Sequence, residues 1–396
     1  MIVKLWLSTF LVTISNFYVY LSFSSEIYRS TGSSAHASYV FAAQWIFPIT
    51  CFLIIENITR TYKPKIILYL SAVVSLIVYI IVVYIGFYYW FVIMSAILFG
   101  ALESLMRGGR QVALKMFYSE EDLKRHVSSL ASASYVGASA GGALFAAVSH
   151  FDTVQVAVPV ICIAYISAAL LALRLPEAAP SETKALIQGP SFRSFFYTLR
   201  GSALEPNLFY SLYSVLLVCG VLQGYHNVAR AALPLSHLGG NESALGYLQF
   251  VAGSAIIGGV WFFKALSPEL RSSDAFVRIN LFVSCTAMVT SNFFAEISIS
   301  YAIYAIYIFS FELLFIRFQT DLIVSAKASS FTVISAFQQF VVNLCMLLSV
   351  IVGGFAVDNI GLLATSLLFS AALLIFLAAK GWVQKLIVST TTPECL

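Results

Sequence analysis

"LPEAAPSETKALIQGPSFRSFFYTLRGSALE", residues 175–205, is the one long polar connection in a chain of 396 residues. It collects Pro, Ser, Gly and charged side chains, while on either side apolar segments follow one another with short breaks. Clustered Pro, Gly and Ser punctuate a chain rather than pack it, so the stretch reads as a linker. It divides the sequence into 1–174, the linker 175–205, and 206–396 with a short tail.

The flanking parts are too apolar for a soluble domain. Hydrophobic residues make up 60% of the chain and charged ones 10%, against roughly a quarter charged in soluble domains, and the mean hydropathy is +0.90. A helix needs about 20 mostly apolar residues to cross the hydrocarbon core. Twelve segments qualify: 5–25, 36–55, 66–85, 88–114, 127–148, 154–174, 206–228, 244–263, 276–295, 297–320, 330–352 and 362–379. The first lacks the short apolar core and small-residue site of a cleaved signal and is expected to be retained.

With the amino terminus in the cytoplasm, 17 of the 22 Lys and Arg fall in inner loops and tails. Only Arg29 and Arg230 fall outside, and Arg107, Arg110 and Arg317 lie within spans. This is the asymmetry of the positive-inside rule; a miscounted span would scramble it. The sequence thus predicts an all-α integral membrane protein of twelve transmembrane helices in two six-helix halves, both termini cytoplasmic, in the inner (plasma) membrane. In the linker, "SFRSFFYTLR" (191–200) is basic and aromatic and is expected to lie along the inner membrane surface.

Other function classes find little support. No Gly-x-x-x-x-Gly-Lys-[Ser/Thr] loop occurs, so ATP is not expected to drive the protein directly. The six cysteines show neither metal spacing nor a disulfide framework, and the five histidines are scattered. No metal, cofactor, nucleic-acid partner or enzymatic activity is predicted. The expected partners are a small-molecule substrate, protons and the bilayer, with the protein monomeric.

"FGALESLMRGGRQVALK" (99–115) places Glu103, Arg107 and Arg110 at the end of a run uncharged since Lys65. Depending on the measure, a charge near the bilayer centre costs from about 2.5 to over 10 kcal/mol, so it is normally turned inward and functional. Glu103 and Arg107 are four residues apart and share a helical face, with Arg110 and Gln111 one turn on. Glu103 is therefore a candidate proton carrier, with Arg107 tuning it or holding an anionic substrate group; a permanent, self-neutralising pair is the alternative.

"YIFSFELLFIRFQTD" (307–321) in the tenth span can be set against this stretch, Glu312 beside Glu103 and Arg317 near Arg107. "AAQWI" (42–46) likewise matches "YLQFV" (247–251), Gln44 opposite Gln249. Parallel repeats of this kind build transporters. Arg317 lies about 140° and Asp321 about 180° around the helix from Glu312. Arg317 and Asp321 thus read as an inner-end latch, and Glu312 as a second proton-site candidate.

Six spans, a cytoplasmic linker and six more spans resemble the major facilitator superfamily. "ENITRTYKPKIIL" (56–68) resembles that family's basic signature between spans two and three, with Arg60 and Lys63 near its basic positions and Ile55 and Thr59 where its Gly and Asp stand. "YVGASAGGALFAA" (135–147) resembles its antiporter signature, with Gly137 and Gly141 in place and Gly142 at the position of its Pro. The resemblance implies transport by alternating access, with spans 1, 4, 7 and 10 lining a cavity and Arg60 and Lys63 in a conformational latch.

Asn16 and Tyr20 on span one, Gln44 on span two, Gln223, His226 and Asn227 on span seven, and Gln339 and Asn343 on span eleven join Arg107 as substrate-binding candidates. Interhelical hydrogen bonding is the competing use of the span-seven amides. Gly137, Gly141 and Gly142 are expected to permit close helix approach. Together these features predict a proton-coupled exporter of a mid-sized, partly polar organic solute such as a siderophore, peptide natural product or drug-like compound. A proton-coupled uptake symporter and a sensor on a transporter scaffold are the alternatives.

Overall fold

The computed structural model describes residues 1–118, 120–149, 151, 153–176, 206–325 and 331–391. The surface segment expected at 191–200 lies outside them, as do the side chains of Arg60 and Lys115. The described residues are helical and include no strand.

The first helix, α1, runs Ile2–Thr31, and Gly32 closes it in the left-handed conformation (φ 66°), its N–H bonded to the Tyr28 carbonyl. Ser33 then caps α2 (Ser34–Thr50), its hydroxyl accepting from the His36 N–H at 3.1 Å. Pro48 lies in the last turn of α2, where a missing N–H and the ring's bulk weaken the helix. The chain breaks at Cys51 and resumes as α3 (Phe52–Thr61). The second span is thus two helices, a division that hydropathy did not register.

Next come α4 (Pro64–Ile85), α5 (Tyr89–Phe117), α6 (Glu120–Val148) and α7 (Thr153–Leu173). The seventh span is composite. Helix α8 (Pro206–Leu217) passes into a π-helical turn at Val218–Gln223, then α9 (Gly224–Ala231), then a second π-helical turn at Ala232–His237. Helices α10 (Glu242–Ala265), α11 (Pro268–Ser272), α12 (Asp274–Thr290), α13 (Ile297–Ser325) and α14 (Phe331–Thr391) follow. Within α14, Gly361 is non-helical (φ 82°), so the last two predicted spans meet there in a sharp bend. Nine helical stretches among the described residues are long and apolar enough to cross a membrane, one of them the bent α14 that carries the last two predicted spans, and the other two predicted spans fall on α2 with α3 and on α12.

Burial follows the pattern of a lipid-embedded bundle. On α4, Ile66, Leu70, Ile77, Ile81 and Tyr84 point outward, while Ser71, Ala72, Ser75 and Tyr79 are buried. In water such an apolar outer face would be costly; in a bilayer it meets hydrocarbon, and small buried residues let helix backbones approach.

The chain packs as two units: residues 1–188 with 228–257, and residues 189–227 with 258–396. The first therefore includes α1 to α7 and most of α10. Its core is aromatic, with Tyr18, Tyr20, Phe23, Phe41, Phe99, Phe145 and Tyr165 fully buried. Segment 228–257 is fastened within it at several points: the Ser38 hydroxyl donates to the Val228 carbonyl (3.2 Å) and the Tyr28 hydroxyl to the Leu235 carbonyl (3.2 Å). Arg29 pairs with Glu242 as well as with Glu26 on its own helix.

Candidate functional site

In the first unit, Arg107 Nη2 lies 3.5 Å from Glu103 Oε1, the two side chains 51% and 28% exposed. Tyr20 is buried among Phe41 and Phe99, and its hydroxyl meets no hydrogen-bond partner among the described residues.

Asn16 is buried and accepts a 2.7 Å hydrogen bond from the hydroxyl of Tyr165 on α7. The amide that the sequence offered for substrate binding is thus engaged by a tyrosine of the sixth span. Tyr165→Phe should cost about 1 kcal/mol of stability through the lost bond, seen as a modest drop in melting temperature.

Gln44 bonds its own helix, Nε2 donating to the Phe41 carbonyl at 2.7 Å, and its backbone is crossed by α5. A Cβ at Gly100 would stand 2.0 Å from the Gln44 carbonyl oxygen, so only glycine fits there.

The three glycines of α6 lie at close helix crossings. A Cβ at Gly137 would come within 2.8 Å of Thr13 Cβ, one at Gly141 within 2.8 Å of the Ile14 carbonyl, and one at Gly142 within 2.8 Å of the Gly246 carbonyl. The first two meet α1 and the third meets α10. Arg230, also in this unit, is buried with its guanidinium carbon 4.5 Å from the Phe41 ring centre and 5.7 Å from that of Phe17, a cation–π contact made in a desolvated setting.

In the second unit, the π-helical turn at Val218–Gln223 carries the local chemistry. A widened turn frees carbonyls from the helical ladder, and inside a membrane they must find other donors. The Gly220 carbonyl accepts from the Ser349 hydroxyl at 2.5 Å, and the Leu222 carbonyl accepts from the Tyr307 hydroxyl. Beside them His226 Nδ1 is 2.6 Å from the Tyr304 hydroxyl, and Asn292 Nδ2 donates to the Tyr225 hydroxyl at 2.9 Å.

Asn227 donates to the Gln223 carbonyl on its own helix (2.9 Å), and the two amides Gln339 and Asn343 bond each other at 3.1 Å. Arg317 pairs with Asp321 at 2.6 Å and also donates to the Ser272 carbonyl at 3.4 Å. Lys63, at the cap of α4, is exposed.

Glu312 stands apart from all of these. It is 3% exposed, and its Oε1 has no hydrogen-bond partner among the described residues. Gly259 packs against its stem, a Cβ there falling 3.2 Å from Glu312 Cβ. Gln319, seven residues on, accepts a hydrogen bond from Gln338.

The roles of Tyr165, Tyr225, Tyr304 and Tyr307 went unnoticed in the sequence, where 21 tyrosines offer no signal separating the buried few from the rest. Of the pair Arg29 and Glu242, Arg29 counted only as an outer-loop charge; the pair spans 213 residues.

Residues 5–350 match the family model "Major Facilitator Superfamily". The fold is similar to a bacterial homologue of the human lysosomal transporter Spinster in an inward-facing, unoccupied conformation (TM-score 0.68, 12% identity, 98% of this chain and 94% of that one). It is also similar to a POT family transporter in complex with a thioalcohol-conjugated peptide (TM-score 0.71, 11% identity, 96% of each chain). A third similar structure is the human organic anion transporter MFSD10 (TM-score 0.67, 12% identity, 96% and 98%). Among curated proteins no sequence matches. A helical bundle with an apolar exterior and buried charges, matched to one family model over most of its length, places this chain in the major facilitator superfamily.

Proposed function

We propose that this membrane transporter is a proton-driven exporter of a mid-sized, partly polar organic solute, working by alternating access. The observation that carries the proton coupling is Glu312, a carboxyl in the middle of a membrane helix with an unpartnered, buried oxygen. An isolated carboxylate in such a place is costly, whereas the neutral acid is not. Its stable form changes when water or a partner reaches it, and a coupling residue needs that property.

Glu103 supplies a second acid, but with Arg107 already beside it its proton affinity is tied to that guanidinium. Arg107, with half its side chain exposed, suits an anionic or carbonyl group of the solute. The peptide bound to one structural neighbour and the organic anions named for another belong to the same broad chemistry. The glycine-lined crossings of α6, where the family's antiporter signature falls, favour export over uptake.

The test is proton movement in proteoliposomes of known orientation on adding peptides, siderophores and amphiphilic organic anions. Proton flux opposite to solute flux is the expected result. Flux in the same direction would mean symport. Solute movement without proton flux would remove the proton role from both glutamates, and ligand binding without any flux would mean a sensor. Glu103→Gln, by freeing Arg107 from its pair, is expected to shift the apparent solute affinity severalfold while keeping proton coupling, measured in the same vesicles.

A further inference from the structure

At the end of α1 remote from the amino terminus, the first unit forms a small, partly open cavity lined in part by Tyr18, Ser22, Ser25, Glu26, Tyr79 and Glu242, with the two carboxylates about a quarter exposed. These residues come from α1, α4 and the start of α10, far in sequence from Glu103. The cavity measures about 30 Å³. A water needs about 10–15 Å³ on the same measure, so the space suits a small ion with little else.

Its charge is unbalanced. Arg29 answers both carboxylates, 3.2 Å from Glu26 and in contact with Glu242, yet one guanidinium cannot neutralise two ionised acids. Arg29 itself stands outside the lining, and no Lys or Arg is among the described residues that line the cavity.

The wall also holds an unsatisfied group. Tyr18 is 1% exposed, its ring packs edge-on against Phe145 5.5 Å away, and its hydroxyl meets no hydrogen-bond partner among the described residues. Native structures rarely leave a buried hydroxyl without one. A residual negative charge, a cluster of hydroxyl and carboxylate oxygens and an orphaned tyrosine hydroxyl all call for the same thing, a hard cation of single charge. With one guanidinium already facing two carboxylates, one further positive charge completes the balance, which favours a monovalent ion over a divalent one.

We propose that this cavity binds one alkali cation, sodium, through Glu26, Glu242, the Tyr18 hydroxyl and the serine hydroxyls of α1. The bound ion supplies the missing positive charge next to Arg29. It thereby stabilises the fastening of segment 228–257 to α1, so sodium acts on the transporter at a place separate from the proposed proton carboxyls.

The test is binding of radiosodium to the purified full-length protein in detergent, with choline chloride holding ionic strength constant. Saturable binding is expected, together with a sodium-specific rise in melting temperature of about 2 °C near saturation. Tyr18→Phe, which keeps the ring, should weaken tracer binding about fivefold, the worth of one hydrogen-bond-sized contact. Glu26→Gln should abolish it. Tracer binding that is absent, displaced equally by choline, or unchanged in both variants would overturn the proposal and leave the cavity to water. Should Glu26→Gln fail to fold, Tyr18→Phe and Ser25→Ala decide the question alone.

Discussion

Glu312→Gln should insert and fold as the wild type does, keep binding solute, and lose solute-driven proton movement to the level of empty vesicles. The amide has nearly the shape of the neutral acid, so it fills the same space against Gly259 without forcing that close contact. It adds no charge to a site that is 3% exposed, and the melting temperature should stay within about 2 °C of wild type. What it cannot do is give up or accept a proton.

The comparison with Glu103→Gln makes the result decisive. Removing Glu103 leaves Arg107 without its 3.5 Å partner, but that guanidinium is half exposed, so the pair is worth about 0–1 kcal/mol. Coupling lost in the Glu312 variant and retained in the Glu103 variant assigns the proton to α13. The reverse pattern assigns it to the Glu103–Arg107 pair, and normal coupled flux in both refutes proton coupling through either.

Glu312 was conspicuous in the sequence because a carboxyl inside "YIFSFELLFI" violates the hydropathy of its surroundings, and its physical cost is large enough to leave a visible trace. The twelve spans were legible for the same reason: runs of about 20 apolar residues are imposed by the bilayer itself. Features whose cost is small or shared left no such trace. The break at Cys51 follows Pro48 by three residues, a local backbone effect that hydropathy does not weigh. The π-helical turn at Val218–Gln223 depends on hydroxyls of Ser349 and Tyr307, which lie far along the chain. Asn16 was visible as a polar residue in a greasy span, but its partner Tyr165 is one tyrosine among 21. Candidate residues could thus be named one by one, whereas which of them touch is decided by packing between helices that share no periodicity.

The same reasoning isolates the second large effect, at the crossing of α6 and α10. Gly246 and Gly253 fall on one face of α10, and the Ser139 hydroxyl on α6 donates to the Phe250 carbonyl between them at 3.1 Å. A Cβ at Gly246 would stand 2.5 Å from the Ala146 nitrogen and 2.6 Å from the Gly142 carbonyl oxygen. Both obstructing atoms are backbone, so no change of rotamer relieves the clash and one helix has to move. Gly246→Ala should therefore cost about 1–3 kcal/mol of packing and stop transport, because segment 228–257 can no longer dock in the first unit.

Gly258→Ala, the same substitution on the same helix, puts its Cβ 3.8 Å from the Phe309 ring, ordinary contact, and should be neutral or slightly stabilising. A cysteine placed at Ala244, buried in the same segment, in a background lacking the native cysteines reports the docking directly. Thiol labelling should be slow in the parent and in Gly258→Ala and fast in Gly246→Ala. Equal labelling and full transport in all three would mean that the crossing tolerates a methyl group, and that the close approach of α6 and α10 is not required at any step of the cycle. Fast labelling with transport intact would place the docking of 228–257 outside the transport cycle, so the two readouts together separate a packing role from a mechanistic one.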